Sequence, residues 1–411
     1  MSSHTSRQRA AFGALVGALG AGLAFVSGCS EAGGPGATEA SVRDSSGVAI
    51  VAHAAGALAG ETASPSDWEA DFDGALFLPG DFFQVATAVR LDGGRIAVVE
   101  RSDRRVGFFG PDGTRVASLG GEGEGPGEFR SITSAHRWPG DSLVVFDGQL
   151  RRLTLFDSLG ELGRTFAFEV TEGVPFASLQ GVHGEEGSLL ATGFTQIPPG
   201  GPEDGRRRYQ TPAYRFGPDG TLAGVLPLAT ETESYFELIE NGFRAFQPLF
   251  PRSTRLLTGP DFLLEVTNDT WELRIRTPGG ELQRIVRRQE APAPLTEPLR
   301  REAIQRRLEE YGLSGDGEEF RRTLEAMPVP ETLPAFGQVA IDRSGHIWVE
   351  EYDPTRPESA EWTVVDPEGM IAARIQLPRR FHPMEIGEDY LLGVLIDELD
   401  VERVVLAPLA R

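Results

Sequence analysis

The chain contains no lysine. All 39 basic residues among its 411 are arginines, set against 61 Asp and Glu for a formal net charge of -22. Lysine Schiff-base chemistry and a Walker-type phosphate loop are both excluded on that ground. An acidic chain without a basic stripe also excludes nucleic acid as a partner, because affinity for phosphate comes mainly from clustered cations. Cysteine occurs once, at Cys29, so no disulfide can form within the chain and the fold must rest on its own core. Asparagine occurs only at Asn241 and Asn268, which leaves few amide oxygens for a hard-cation site. Serine is present, but no G-x-S-x-G elbow is, so a nucleophile of that kind is not expected.

One long apolar run exists, and it lies at the start. Arg7 and Arg9 precede an uncharged stretch from Ala10 to Val26, which leads into Val26-Ser27-Gly28-Cys29. Its high Gly and Ala content suits an export signal better than a membrane span. The last four residues resemble a bacterial lipobox: an apolar residue, two small ones, then the cysteine that takes the lipid. Residues 1–28 read as a lipoprotein signal peptide, and 29–44 as a flexible Gly-rich tether. Ser30 after the cysteine suggests outer-membrane sorting, by analogy with Gram-negative lipoproteins.

Beyond residue 66 the sequence repeats. Arg95–Glu100, Arg105–Phe109 and Thr114–Leu119 read as three short strands, with a turn at Pro111-Asp112-Gly113. A second copy superposes Leu143 on Ile96, Leu153 on Val106, Phe156 on Phe109 and Leu159-Gly160 on Asp112-Gly113, giving a period of 47 residues. That period suits four-stranded blades, whose two faces are buried only when blades stack around an axis. Weaker copies place equivalent second-strand anchors at Leu189, Leu263, Ile347 and Leu391, making six units. The stretch Leu119–Phe129, "LGGEGEGPGEF", reads as the connector from the outer strand of one blade to the inner strand of the next. Its glycines permit positive φ, Pro126 stiffens the path, and Phe129 plugs the seam. A phosphate cradle fits the stretch poorly, because no helix follows, no lysine is present and three glutamates repel phosphate.

The run "RRVGFFGPDGTRVASLGGEGEGPGEF" resembles the NHL-type repeats of six-bladed propellers, strongly over 91–168 and recognisably over 333–411. The resemblance implies an all-β, six-bladed β-propeller over residues 45–411. It implies little about function, since such propellers include lyases, lactonases, receptors and scaffolds. The last unit lacks an outer strand. Ser45–Ala55 is expected to be the N-terminal strand that closes it, beside Val401–Leu406. A helical insertion at 296–327 interrupts the rhythm. Thr296 is the expected cap, Ile304, Leu308 and Tyr311 share a face, and Gly312 ends the first helix. Phe320, Leu324 and Met327 line the second.

Some NHL-type lyases hold zinc with histidines from inner strands. Here His136 stands seven residues before Leu143, and His183 six before Leu189. In a period-two strand that difference sends the rings to opposite faces. His346 sits in a turn, and His53 is expected on an outer strand. A lactonase-type calcium site would need a Glu, an Asn and an Asp converging on the axis, but Asn268 falls in a Thr267-Asn268-Asp269 turn. Asp342 likewise reads as a turn residue. Trp138, Trp271, Trp348 and Trp362 read as packing between blades, with Trp138 near the channel mouth. The expectation is therefore a monomeric propeller held on the membrane by its lipid, with no catalytic residue, metal or cofactor. It would bind a protein, peptide or glycan on one face; a lactonase-like or lyase-like enzyme using the axial channel is the alternative.

Overall fold

The computed structural model describes residues 40–55, 66–168, 178–311 and 317–411. Its N-terminal part supplies a hairpin of β1 (Ser41–Ser45) and β2 (Val48–His53). Three two-residue strands follow: β3 (Ser66–Asp67), β4 (Glu69–Ala70) and β5 (Leu76–Phe77). From Val85 the chain folds into successive antiparallel meanders. The first comprises β6 (Val85–Arg90), β7 (Ile96–Glu100), β8 (Arg105–Phe109) and β9 (Arg115–Gly120). The next comprises β10 (Ile132–Trp138), β11 (Ser142–Asp147), β12 (Arg152–Phe156) and β13 (Leu162–Ala167). Then come β14 (Ser178–His183), β15 (Ser188–Thr192), β16 (Gly205–Phe216) and β17 (Leu222–Ile239), extended by β18 (Gly242–Phe246).

β19 (Ser253–Thr258), β20 (Leu263–Thr267), β21 (Glu272–Arg276) and β22 (Leu282–Arg288) form the following meander. Helices α1 (Glu297–Glu310) and α2 (Glu318–Ala326) intervene. β23 (Phe336–Ile341), β24 (Ile347–Glu351), β25 (Ser359–Val365) and β26 (Ile371–Pro378) resume the pattern. β27 (Phe381–Ile386), β28 (Tyr390–Ile396) and β29 (Glu402–Ala410) end it. The first strands of the meanders touch in the order β6, β10, β14, β19, β23, and β27 returns to β6. They surround a common axis, the arrangement of a β-propeller.

The period is carried by burial. Ile96, Leu143, Leu189, Leu263, Ile347 and Leu391, each on the second strand of its meander, are fully buried. Each packs in a seam between neighbouring sheets; Leu143, for example, shares a cluster with Val99, Val106 and Phe108 of the preceding meander. The turns between third and fourth strands place glycine at positive φ in equivalent positions, Gly113, Gly160, Gly220, Gly280 and Gly369. The connector Leu119–Phe129 behaves as its composition predicts. Gly120 has φ of 102° and lies so close to the Arg104 carbonyl that a Cβ would stand 2.5 Å from it. Arg152 donates to the carbonyls of Glu124, Gly125 and Glu128, and Phe129 is fully buried against the Phe156 ring.

The closure differs from the sequence expectation. β2 does not pair with β29; it runs parallel to β22, with Ile50 opposite Ile285 and Val51 opposite Val286. Its apolar residues fit the seam there, where Val51 joins the cluster of Val286, Leu264 and Val365. The edge of β29 is covered instead by β4 and β5, through Leu409 to Ala70 and Leu406 to Leu76. β3 pairs with β26 on the way. The N-terminal segment thus crosses three successive outer edges before entering β6. Ordered strand also begins at Ser41, inside the segment read as tether.

Within the insertions, the chain becomes strand from Gly205, and β16 and β17 form a long hairpin. Its far half, with Phe246, packs against the helices in a cluster of Leu249, Phe250, Ile304, Leu308, Leu324 and Met327. Thr296 occupies the N-cap of α1 but makes no side-chain cap hydrogen bond. Tyr311 is 61% exposed, because it stacks on Phe320 at the rim and not in the core. Gly312 lies outside the described residues.

Candidate axial site

The first strands β10, β14, β19, β23 and β27 all end at the same end of the ring. Tight turns follow them, among them Pro139-Gly140-Asp141, with Gly140 and Asp141 at positive φ. Their ends enclose a cavity of ≈ 550 Å³. Arg137, Trp138, Asp141, His183, Thr258, Asp342, Arg343 and Glu385 are among the residues lining it.

Arg137 lies directly opposite the anchor Leu143, so both project toward the preceding meander. The guanidinium reaches past the end of β6 to Glu385 on β27, with Nε donating to Oε2 at 2.9 Å and Nη2 to Oε1 at 3.3 Å. Nη1 donates to Asp141 at 3.2 Å, and Nη2 also donates to the Arg90 carbonyl. Glu385 accepts in addition from the Arg90 backbone N–H at 3.0 Å and from the Tyr390 hydroxyl. A register shift between Pro383 and Glu385 accompanies this placement. The Glu385 side chain is only 8% exposed. Burial works against the charge on Arg137, but the hydrogen bonds and field of Glu385 outweigh it and raise the guanidinium above its ordinary pKa. Burial first, then the Glu385 charge, drive the Tyr390 phenol well above its usual value, so it remains a donor. The network ties the second, first and last meanders together across the mouth.

Asp342 orders its turn, as its position in the repeat predicts. Its buried carboxylate accepts from the backbone N–H groups of Ser344 (2.9 Å) and His346 (2.8 Å), from Trp348 Nε1 (3.3 Å) and from Arg411 (2.7 Å). Arg411 in turn stacks on Trp68. Asn268 follows β20, but its side chain bonds across to the start of β19, accepting from the Ser253 N–H at 2.9 Å and donating to the Pro251 carbonyl at 3.2 Å. The four tryptophans read as packing are all buried, and Trp138 also forms part of the cavity wall.

The histidine register needs correction. His136 pairs with Val144 and His183 with Ser188, and these positions flank the equivalent anchors Leu143 and Leu189 on opposite sides. The two rings are therefore two strand positions apart and share a face. Counting along the chain missed this because the β14–β15 turn is one residue longer than the β10–β11 turn. Burial lowers the pKa of His136 to about 4. Burial, then the Arg215 charge, lower that of His183, which borders the cavity with Nε2 buried and unpartnered among the described residues. His53 lies on an outer strand, where Nε2 meets the Gly369 carbonyl at 2.9 Å. Among the described residues, no three of His, Cys, Asp and Glu stand together as a metal site would require. Val26, Ser27, Gly28 and Cys29 lie outside the described residues. No helix among the described residues is long and apolar enough to cross a membrane.

No family model matches the chain, and no curated protein is significantly similar to it. Several solved structures are similar to the chain at low identity. A member of the DUF4221 family from Bacteroides vulgatus is 11% identical, covering 84% of this chain and 99% of that one, with a TM-score of 0.42. Virginiamycin B lyase from Staphylococcus aureus is 10% identical over 84% and 100%, with a TM-score of 0.38. A gluconolactonase from Xanthomonas campestris is 13% identical over 83% and 91%, with a TM-score of 0.40. At that distance their activities do not transfer to this chain.

Proposed function

We propose that this chain is an exported, lipid-anchored, six-bladed propeller of NHL type. In this reading it is a non-catalytic module that binds a peptide, glycan or envelope partner at the axial mouth. The six buried anchors support the blade count, and Val26-Ser27-Gly28-Cys29 supports the anchor. The observation that carries the binding reading is the Arg137–Glu385–Asp141–Tyr390 network. Its charged groups satisfy one another across two meanders and hold the Arg90 backbone of a third, leaving a rigid rim of fixed donors and acceptors. Thr258 is the sole hydroxyl among the residues lining the cavity, and no imidazole hydrogen-bonds to it among the described residues.

Titrating the soluble domain with peptides and glycans of the envelope, followed by calorimetry, tests the reading. A ligand whose affinity falls in Arg343→Ala and Glu185→Ala, the two exposed rim charges, supports it. Binding unaffected by both rim changes would place the ligand elsewhere. The hydrolase or lyase alternative is favoured by one feature, the His183 imidazole at the cavity wall, whose pKa is lowered by burial and then by the Arg215 charge. Turnover of a lactone or ester panel that disappears in His183→Asn would establish that alternative. Cys29→Ala should release the processed protein from membranes, and its retention would sink the lipid anchor.

A further inference from the structure

At the opposite end of the ring a second cavity, of ≈ 320 Å³, lies between α1 and the fifth meander. It opens where β23 begins and β24 ends, a full strand length away from the axial mouth. Its floor is apolar: Leu249 and Phe250 are buried, and Ala303 of α1 faces them. Its polar wall is less complete than the network at the mouth. Arg379 donates from Nε to the Pro357 carbonyl at 3.1 Å and from Nη1 to Glu350 at 2.9 Å, while Nη2 is buried without a partner among the described residues. The Tyr352 hydroxyl and the Gln338 and His382 side chains, all lining the same cavity, also have no hydrogen-bond partner among the described residues. Arg379 Nη2 can only donate, and the other three groups can each donate or accept, facing an apolar floor.

We propose that this cleft binds an organic monocarboxylate with an apolar body, its carboxylate received by Tyr352 and Arg379 and its body lying on Leu249 and Phe250. A carboxylate offers two oxygens, one to the Tyr352 hydroxyl and one to Arg379 Nη2 once that group turns from its solvent-shielded position toward the cleft, and charge-assisted bonds of this type are the strong ones. Burial raises the Tyr352 pKa, and the strongest charges acting on its hydroxyl are guanidiniums, those of Arg356, Arg306, Arg252 and Arg379, of which Arg356 is paired with Glu310 and Arg379 with Glu350. The surroundings also limit the ligand's charge. Glu310, Glu350 and Asp353 share the wall and oppose a dianion such as a phosphate monoester. This site is separate from the axial mouth, and the inference does not depend on the function proposed for the mouth.

The test titrates the soluble domain with hexanoate, hexanamide and hexyl phosphate, followed by calorimetry and by protein NMR. Saturable hexanoate binding is expected, with hexanamide and hexyl phosphate markedly weaker. Tyr352→Phe keeps the ring and removes the hydroxyl. Arg379→Lys keeps a charge for the buried Glu350 and removes Nη2, so neither change strips the core. Each should weaken hexanoate about tenfold, the worth of one hydrogen bond to a charged group. No hexanoate binding at millimolar concentrations would overturn the proposal. So would equal affinity for hexanamide, tighter binding of hexyl phosphate, or hexanoate affinity unchanged in both variants.

Discussion

Phe82→Ala should be among the most destabilising single changes in this protein, because Phe82 sits where the ring closes. Its ring is 2% exposed and lies 6.0 Å from that of Phe109. Its cluster joins Ile96 and Val98 of the first meander to Leu392, Val394 and Val404 of the last. Its backbone bridges Glu402, whose carboxylate accepts from the Val85 N–H at 2.7 Å. Deleting a buried phenyl loses its transfer energy and leaves a cavity, about 3–5 kcal/mol together. Against a typical stability of about 5–15 kcal/mol, that is a large fraction. Phe83 next to it is 64% exposed, so Phe83→Ala should shift stability by no more than about 0.5 kcal/mol. Urea melts followed by tryptophan fluorescence compare the two. Equal midpoints for Phe82→Ala and Phe83→Ala would refute the assignment of Phe82 to the closing seam.

Truncation separates the two N-terminal roles. Starting the chain at residue 61 removes β1 and β2 and uncovers the edge of β22, a moderate loss, whereas starting at residue 80 also uncovers β29 and should give an aggregating protein. Equal solubility and melts of the two truncations would mean that β4 and β5 do not close the ring. Gly220→Ala should lower the thermal midpoint clearly, since φ is +88° and the new Cβ would stand 2.5 Å from the Ala167 carbonyl. The backbone term alone is about 1–2 kcal/mol; Gly224→Ala, with nothing within 4 Å of its Cβ, should be near neutral, and equal midpoints would contradict this account. His136 has its folded pKa lowered to about 4 from 6.5, so between those values the unfolded chain binds the proton that the folded chain refuses. Stability therefore falls as pH drops from 6.5 toward 4, by roughly 3 kcal/mol from this group; His136→Asn should flatten that slope, and an unchanged pH profile would show that the ring is not held neutral.

Much of this architecture is legible in the sequence because it is periodic. Ile96, Leu143 and their equivalents recur since every blade solves the same burial problem, and Gly113 and Gly160 recur since every outer turn needs the same positive φ. The connector around Phe129, the turn role of Asp342 and the helices at 297–326 were readable for the same local reason. Residues whose partners lie far along the chain were not. Nothing near Val51 says that its neighbour is Val286 and not β29, because an apolar strand fits any uncovered edge and only the assembled ring shows which edge is free. The faces of His136 and His183 depended on one extra turn residue, which changes strand register without changing the pattern of hydrophobic residues. Arg137 and Glu385 lie 248 positions apart, and Tyr352 and Arg379 belong to different strands and turns. Local sequence determined the blades and their turns, because propensity and alternation act over a few residues. Tertiary structure alone decided the closing edge, the ion network at the mouth and the donor-lined cleft, because those depend on which strand ends converge once the ring is complete.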